Sequence, residues 1–393
     1  MTGQQSQETS SNRRTFLKGT GALAIASAAA GCSGGGSSSG GSGGEGGSGG
    51  SGGSDGGAST SQKPPSFENK AGNKVGETFE AVKELAKEED AATAYATIDR
   101  GPFQKWMEGF KNAYDGVDIQ HVVGGSEKLI SRWETEYNTD NVKGDFFIST
   151  SNVKRIWQKD QAMTLKADYM PSFGEAPEKF KSPKGHWIAT RQVLGNTFYN
   201  KNKVDPSKYD TWMDVVTDES LAGGDYAHDP TPNMFLMSWM MDTQGEEYFE
   251  AMRDLEPRWV DSHTDLARLC GAGEFPIAFT YTHKMGRFGS KMPIDYLKFD
   301  PTPSVISPGV INNKAPAPNT ALLFMNWLTS KEGQMLLGKT QYIPWHPDAK
   351  YTAYEGVYPS DEYEVDTISP EVDIDKTNEK WKEIMGDQIS SGA

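Results

Sequence analysis

The chain has 393 residues and carries 54 Asp and Glu against 39 Lys and Arg, a formal charge of −15, which excludes the basic face that nucleic-acid backbones require. Its length is enough for two globular lobes once the non-globular parts are set aside. No run of about 18 apolar residues follows the N-terminus, so no transmembrane helix is expected after the start of the chain.

The chain opens with Asn12-Arg13-Arg14-Thr15-Phe16-Leu17-Lys18, a twin-arginine pattern, followed by a short apolar stretch from Gly19 to Ala30. That stretch is too short to span a membrane stably and ends in small residues, as an export signal does. The pattern resembles the signals of the pathway that exports proteins already folded. Ala29-Ala30-Gly31-Cys32 follows directly and resembles a lipobox, in which the thiol is alkylated by a diacylglyceryl group and cleavage leaves the cysteine at the new N-terminus. An ordinary signal with a chance cysteine is the alternative; the order of arginine pair, apolar stretch and cysteine favours lipidation of Cys32. Residues 1–31 are thus expected to be a signal that is removed, leaving the lipid on Cys32 to anchor the protein at the extracellular face of the membrane.

Residues 32–77 are expected to form the lipidated Cys and a tether. Ser33 to Gly57 is almost entirely Gly and Ser, with only Glu45 and Asp55 charged, and cannot bury enough apolar surface to fold. Such a coil spans roughly 25–30 Å root-mean-square. The signal carries Arg13, Arg14 and Lys18 against Glu8, so its removal takes the charge from −15 to −17. Together, the acidity, signal and tether resemble secreted proteins of salt-loving archaea. The chain has two cysteines, so with Cys32 modified no intramolecular disulfide is possible, and Cys270 reads as a small packing residue.

Residues 58–77 read as polar and irregular. Thr78 to Ala91 reads as a helix with Phe79, Val82, Leu85 and Ala86 on one side. A strand follows from Ala92 to Ile98, ending at Asp99-Arg100-Gly101-Pro102, where proline suits a first helical turn. The next helix spaces Phe103, Trp106, Met107, Phe110 and Tyr114 helically and stops at Asp115-Gly116. Val117 to Val123 is a second strand, and Gly124-Gly125-Ser126 turns into a helix carrying Leu129, Ile130 and Trp133. Asp145 to Thr150 is a third strand and its exit. This alternation predicts an α/β fold with a mostly parallel sheet. Ligands of such sheets sit beyond the carboxyl ends of the strands, which here means the loops at Arg100, Ser126 and Ser149-Thr150.

From about Ala92 to Pro347 the order of elements resembles the periplasmic-binding-protein type II family, in its ferric-iron-like branch. The pieces are the Gly124-Gly125-Ser126 turn, the strand Gly144 to Ser149, the segment Trp187 to Arg191 with Phe198-Tyr199-Asn200, and Lys208 to Val216. Gly273 to Phe279 and the closing helices from Ala321 to Leu337, with Glu332-Gly333-Gln334, complete the set. The resemblance implies two α/β lobes, one of 78–190 plus about 306–335 and the other of 191–305 plus about 336–393. Crossover strands are implied near Thr190–Phe198 and Leu297–Pro308, with a central cleft that closes on solute by hinge motion. It also implies a monomeric capture protein of an ABC-type importer, not an enzyme and without a cofactor, whose partners are a small solute or ion and a membrane permease.

In the ferric branch two adjacent tyrosines ligate the metal; here the stretch reads Phe279-Thr280-Tyr281-Thr282-His283-Lys284, with one tyrosine. Tyr281 and His283 are the candidate metal ligands, and an aromatic wall at Tyr281 is the alternative. An anion has separate candidates, because helix N-termini present unpaired N–H groups: Ser126 before its helix, and Thr231 and Asn233 before the apolar run Met234 to Met241. Both latter residues are equally apt as helix caps. Arg191 offers a fork for an oxyanion, or pairs with a surface carboxylate. A competing hydrolase reading finds no G-x-S-x-G elbow and no H-E-x-x-H helix, and the six histidines show no metal-ligand spacing. A surface scaffold would call for repeats, and none occurs. The tail from Lys350 to Ala393, with a short helix expected at Glu379 to Met385, packs on lobe two or meets the permease.

Overall fold

The computed structural model describes residues 63–340, 342–350 and 365–391. The expected signal, Cys32, the Gly/Ser tether and the tyrosines at 351, 354, 358 and 363 lie outside the described residues.

The segment expected to be irregular opens instead with a two-stranded ribbon, β1 (Ser66–Glu68) antiparallel to β2 (Lys74–Gly76). Side-chain amides decide this. Asn69 Oδ1 accepts from the backbone N–H groups of Ala71 and Asn73, and the Asn69 and Asn73 amides both donate to the Ala315 carbonyl. Val75 is fully buried beneath the ribbon.

Helix α1 (Phe79–Ala86) is capped by Thr78, whose hydroxyl accepts from Ala81 N. Then β3 (Ala92–Ala96), α2 (Arg100–Ala113), β4 (Ile119–Val123), α3 (Ser126–Asn138) and β5 (Phe146–Ile148) alternate as the periodicity predicts. Phe103, Trp106 and Phe110 form the buried face of α2, and Leu129, Ile130 and Trp133 that of α3. Strands β4 and β5 flank β3, and both pairings are parallel. Two short helices, α4 (Lys154–Gln158) and α5 (Pro171–Glu175), lead to the long strand β6 (Ile188–Asn200).

β6 joins the two lobes. Ile188 to Leu194 pair with one strand and Gly195 to Tyr199 with another, so the chain changes sheets within one extended run. Beyond it come α6 (Trp212–Val216), β7 (Tyr226–His228), α7 (Met234–Gln244), α8 (Glu246–Asp254), β8 (Arg258–Trp259) and α9 (His263–Ala272). β9 (Ile277–Tyr281), α10 (Met285–Phe288) and β10 (Ile294–Tyr296) complete the excursion, and β11 (Thr302–Ile311) returns antiparallel to β6. The strand order is β4-β3-β5-β11-β6-β9-β7-β8, with β10 on β6. The mostly parallel sheet of the sequence reading is therefore mixed. Strands within each lobe run parallel, but β6 and β11 cross between lobes in opposite directions and pair antiparallel with each other and with β5 and β9.

Two aromatic cores result. The first holds Trp106, Trp133, Phe146, Phe147 and Phe324; the second holds Trp212, Trp239, Phe249, Phe279 and Trp381. A smaller cluster around Phe198, Leu266, Cys270 and Phe275 lies in the second lobe, where burial pushes the Cys270 thiol up to about 12. Helix α11 (Pro318–Thr329) is buried on every side, and its polar residues Asn319, Thr320, Asn326 and Thr329 are each hydrogen-bonded. α12 (Lys331–Gly338) follows after a tight join at Ser330. Gly333 is required there, since a Cβ would collide with the Trp327 carbonyl oxygen. Gln334 beside it is fully buried; its amide donates to Thr190 O and Leu328 O and accepts from Trp345 N, binding α12 to β6.

Leu337, Tyr342 and Trp345 all pack in the first core, because Gln334 and the Trp345 indole, which donates to Ala189 O at 2.6 Å, tether this stretch to the first half of β6. β12 (Val365–Ile368) then lies parallel to β11. The helix expected at Glu379 to Met385 is longer, α13 (Asp375–Ser391), and packs against α7 and α8 with Trp381 and Met385 in the second core. Between them Glu371 reaches back to lobe one, where its carboxylate accepts from the indoles of Trp187 (2.8 Å) and Trp157 (3.3 Å).

Candidate ligand cleft

The loops at the strand ends enclose a cavity of about 520 Å³ between the lobes. Lobe one contributes Thr97 and Asp99 after β3, Gly124 to Ser126 after β4, and Ser149 to Ser151 after β5. Lobe two contributes Asp229, Thr231 and Asn233 before α7, Asp261 to Thr264 at the start of α9, and Tyr281, His283 and Lys284 at the end of β9 and beyond it. Arg191 comes from the crossover strand itself, and Tyr342 from the segment after α12. The strand ends converge there because each lobe's parallel strands point their carboxyl ends at the gap.

Of the residues singled out from sequence, Ser126, Ser149, Thr150, Arg191, Thr231, Asn233, Tyr281 and His283 line this cavity. Arg100 does not. It is the first residue of α2 and is exposed, its charge remaining in water, and its loop reaches the cavity through Thr97 and Asp99 instead.

On the lobe-one side the hydroxyls are engaged with one another. Ser126 Oγ donates to Ser151 O at 2.5 Å, Ser149 Oγ donates to Ser126 Oγ at 3.2 Å, and Ser151 N donates to Ser149 Oγ. No side chain caps the N-terminus of α3. On the lobe-two side Asp229 organises the turn before α7. Its Oδ1 accepts from Thr231 N and Oγ1, and its Oδ2 lies 3.0 Å from His263 Nε2. Burial acts to raise this carboxyl, but hydrogen bonds from His263 and Thr231 outweigh it and hold Asp229 below the ordinary carboxylate range. Burial holds the His263 imidazole below its ordinary value too, with Asp229 opposing. The pair is therefore a neutral imidazole donating Nε2–H to a carboxylate, which only accepts.

Asn233 is the α7 cap, its Oδ1 accepting from Phe235 N at 3.0 Å, as the cap reading had it. Capping uses only the oxygen. Asn233 Nδ2 is buried without a hydrogen-bond partner. A ladder of rings runs beyond it: His263 to Tyr281 at 3.8 Å between centroids, Tyr281 to His283 at 5.6 Å, and His283 to Tyr342 at 5.0 Å. Burial pushes the Tyr281 phenol well above its usual range and the His283 imidazole far below its own. Both stay neutral near pH 7, and His283 Nδ1 is unpartnered.

The cationic end is where polar satisfaction fails most. Arg191 is 4% exposed, with its guanidinium carbon 4.1 Å from the centre of the Tyr342 ring. Its Nε and Nη1 have no hydrogen-bond partner, and among the described residues it forms no carboxylate salt bridge. Lys284 is also buried, with Nζ 4.0 Å from Asp99 Oδ2. Burial lowers its ammonium to about 8, helped by Arg191 and Arg287 and opposed by Asp99.

A metal fits this donor set poorly. Among the described residues no group of three or more His, Cys, Asp and Glu is placed to hold one, and Tyr281 and His283 share their space with Arg191 and Lys284. Asp99, Asp261, His263, Lys284 and Tyr342 escaped the sequence reading. Lys284 ends the stretch containing Tyr281, so adjacency was an available signal. His263 had none, since its partner Asp229 lies far away along the chain.

Two mixed lobes joined by antiparallel crossover strands, with a polar cleft between them, define a protein that captures a small solute. The profile of the bacterial extracellular solute-binding protein family matches residues 105–364, about two thirds of the sequence, and the chain belongs to that family. Solved structures similar in fold include the substrate-binding protein of an ABC transporter from Agrobacterium tumefaciens, at TM-score 0.65 and 14% identity over 77% of this chain and 96% of that one. Iron-bound HitA from Pseudomonas aeruginosa has TM-score 0.62 at 14% identity, over 77% and 99%. A ferric binding protein from Campylobacter jejuni has TM-score 0.61 at 18% identity, over 76% and 99%. Among the described residues, no helix is long and apolar enough to cross a membrane.

Proposed function

We propose that this chain is the extracellular capture component of an ABC-type importer, and that its solute carries an oxyanion held by Arg191. The observation behind this is the buried guanidinium with two unpaired nitrogens facing a cavity. Leaving such donors unsatisfied costs about 1–3 kcal/mol each, and a planar oxyanion edge satisfies them as a fork. Asn233 Nδ2 is a further donor on the same cavity, and Lys284 adds charge. Solute bound there touches both lobes, so it favours a closed arrangement about β6 and β11 through contacts that an open one lacks. In this reading the protein is exported through its twin-arginine signal, anchored by lipid on Cys32, and works as a monomer delivering solute to a membrane permease. Its surplus of carboxylates suits a salty exterior.

An iron-bearing solute is the second reading, favoured by Tyr281 and His283 standing side by side on the cavity. Arg191 and Lys284 oppose a bare cation, so iron would enter as an anionic chelate. The test is thermal unfolding of the protein in high salt against phosphate, sulfate, phosphonates, ferric citrate and citrate alone. A ligand present at a hundred times its dissociation constant stabilises by about 2.7 kcal/mol. A shift with oxyanions that disappears in Arg191→Met supports the first reading. A shift with ferric citrate but not citrate supports the second, and silence across the panel sinks both.

A further inference from the structure

A second cavity of about 550 Å³ opens beside the cleft, and Ser126, Ser151 and Thr231 line both. Its other walls differ in chemistry. Met234 and Phe235, at the start of α7, form one side; Ile374, Trp381 and Ile389, from the C-terminal segment, form the other. Met234, Ile374 and Ile389 are only half-buried, although each packs against the second core. Their remaining apolar surface faces this space, with Glu127 and Lys382 as exposed charges at its edge. Pockets holding drug-sized ligands run to about 300–1,000 Å³, so the two chambers together are oversized for a bare tetrahedral anion.

α13 supplies Asn378, Trp381, Lys382 and Ile389 to this lining, all from beyond position 364, where the family match ends. Its docking on α7 and α8 turns an open flank of the cleft into a chamber. From the shared lining and the contrast in chemistry we infer that the site is bipartite and that the solute is an organic oxyanion. The anionic head lies at Arg191, and an apolar body lies between α7 and α13. The inference rests on the oxyanion reading above and adds the second half of the molecule.

Calorimetric titration of the full chain with methyl- and phenyl-substituted phosphonates, sulfonates and carboxylates tests it. The phenyl compound of the preferred head group binds about tenfold more tightly than its methyl counterpart, as burial of a ring implies. Ile389→Asn, in the α13 wall, brings that ratio toward one; if this variant does not fold, Met234→Ser in the opposite wall gives the same readout. Equal affinities for methyl and phenyl compounds overturn the bipartite site and leave the oxyanion reading standing. No binding by any member, with the protein folded, overturns both.

Discussion

Replacing Arg191 with methionine separates binding from stability, because the two are expected to move in opposite directions. In the ligand-free protein the guanidinium is buried with Nε and Nη1 unpaired, at a cost of about 1–3 kcal/mol per group. Against this stands its stacking on Tyr342, worth about 1–2 kcal/mol when desolvated. Methionine retains most of the apolar stem and makes no demand for partners. The expected balance is a gain of about 2 kcal/mol in unfolding free energy for Arg191→Met. In a chain of this size that corresponds to a rise of roughly 3 °C in the unfolding midpoint. Oxyanion affinity falls at the same time by about 100-fold, since two charge-assisted hydrogen bonds at roughly 1.5 kcal/mol each are lost. Urea unfolding without ligand, paired with calorimetric titration, reads both quantities. A variant less stable than the wild type would refute the reasoning, for it would mean that the guanidinium is a structural member of the interlobe packing. Such a compromise between site and stability is common where a binding group must wait unpaired for its ligand.

Lys284 makes stability and binding depend on pH. Its folded value of about 8 lies below the ordinary 10.5, so the folded state binds fewer protons between those values, and ligand-free stability should rise as pH increases through that window. Oxyanion affinity should fall over the same window as the ammonium loses its proton; a flat titration in Lys284→Met beside a sloping wild type is the check. Glu371→Ala leaves the Trp187 and Trp157 indoles without their acceptor and should cost about 1–3 kcal/mol in urea unfolding. Gly333→Ala drives a methyl group into the Trp327 carbonyl and should destabilise by roughly 1–3 kcal/mol, measured the same way.

Much of the fold is legible in the sequence because its signals are local. The spacing of Phe103, Trp106 and Phe110, the glycine turn before Ser126 and the Asn233 cap each express the conformational preference of a few adjacent residues. The order in which they recur carries the resemblance that leads to two lobes and a cleft. The parallel sheet became a mixed one because β6 and β11 pair with each other across more than a hundred residues, a decision no local pattern contains. The ribbon at Ser66 to Gly76 likewise draws on a distant group, the Ala315 carbonyl, which accepts from both of its asparagines. Eight candidates from five separate stretches converge on one cavity, since segments at the carboxyl ends of strands meet there whatever their side chains, and the crossover strand carrying Arg191 runs past them. Apart from the Asn233 cap, what each residue does at that place was decided by tertiary structure. Arg191 became a buried donor instead of a surface ion pair, and Asp229 and His263 became partners. Tyr342 came to face Arg191 because Gln334 ties its segment to lobe one. The sequence by itself thus determined the elements, their order and where a ligand would sit. Burial and partner geometry, which are properties of the assembled lobes, decided which groups wait there unsatisfied.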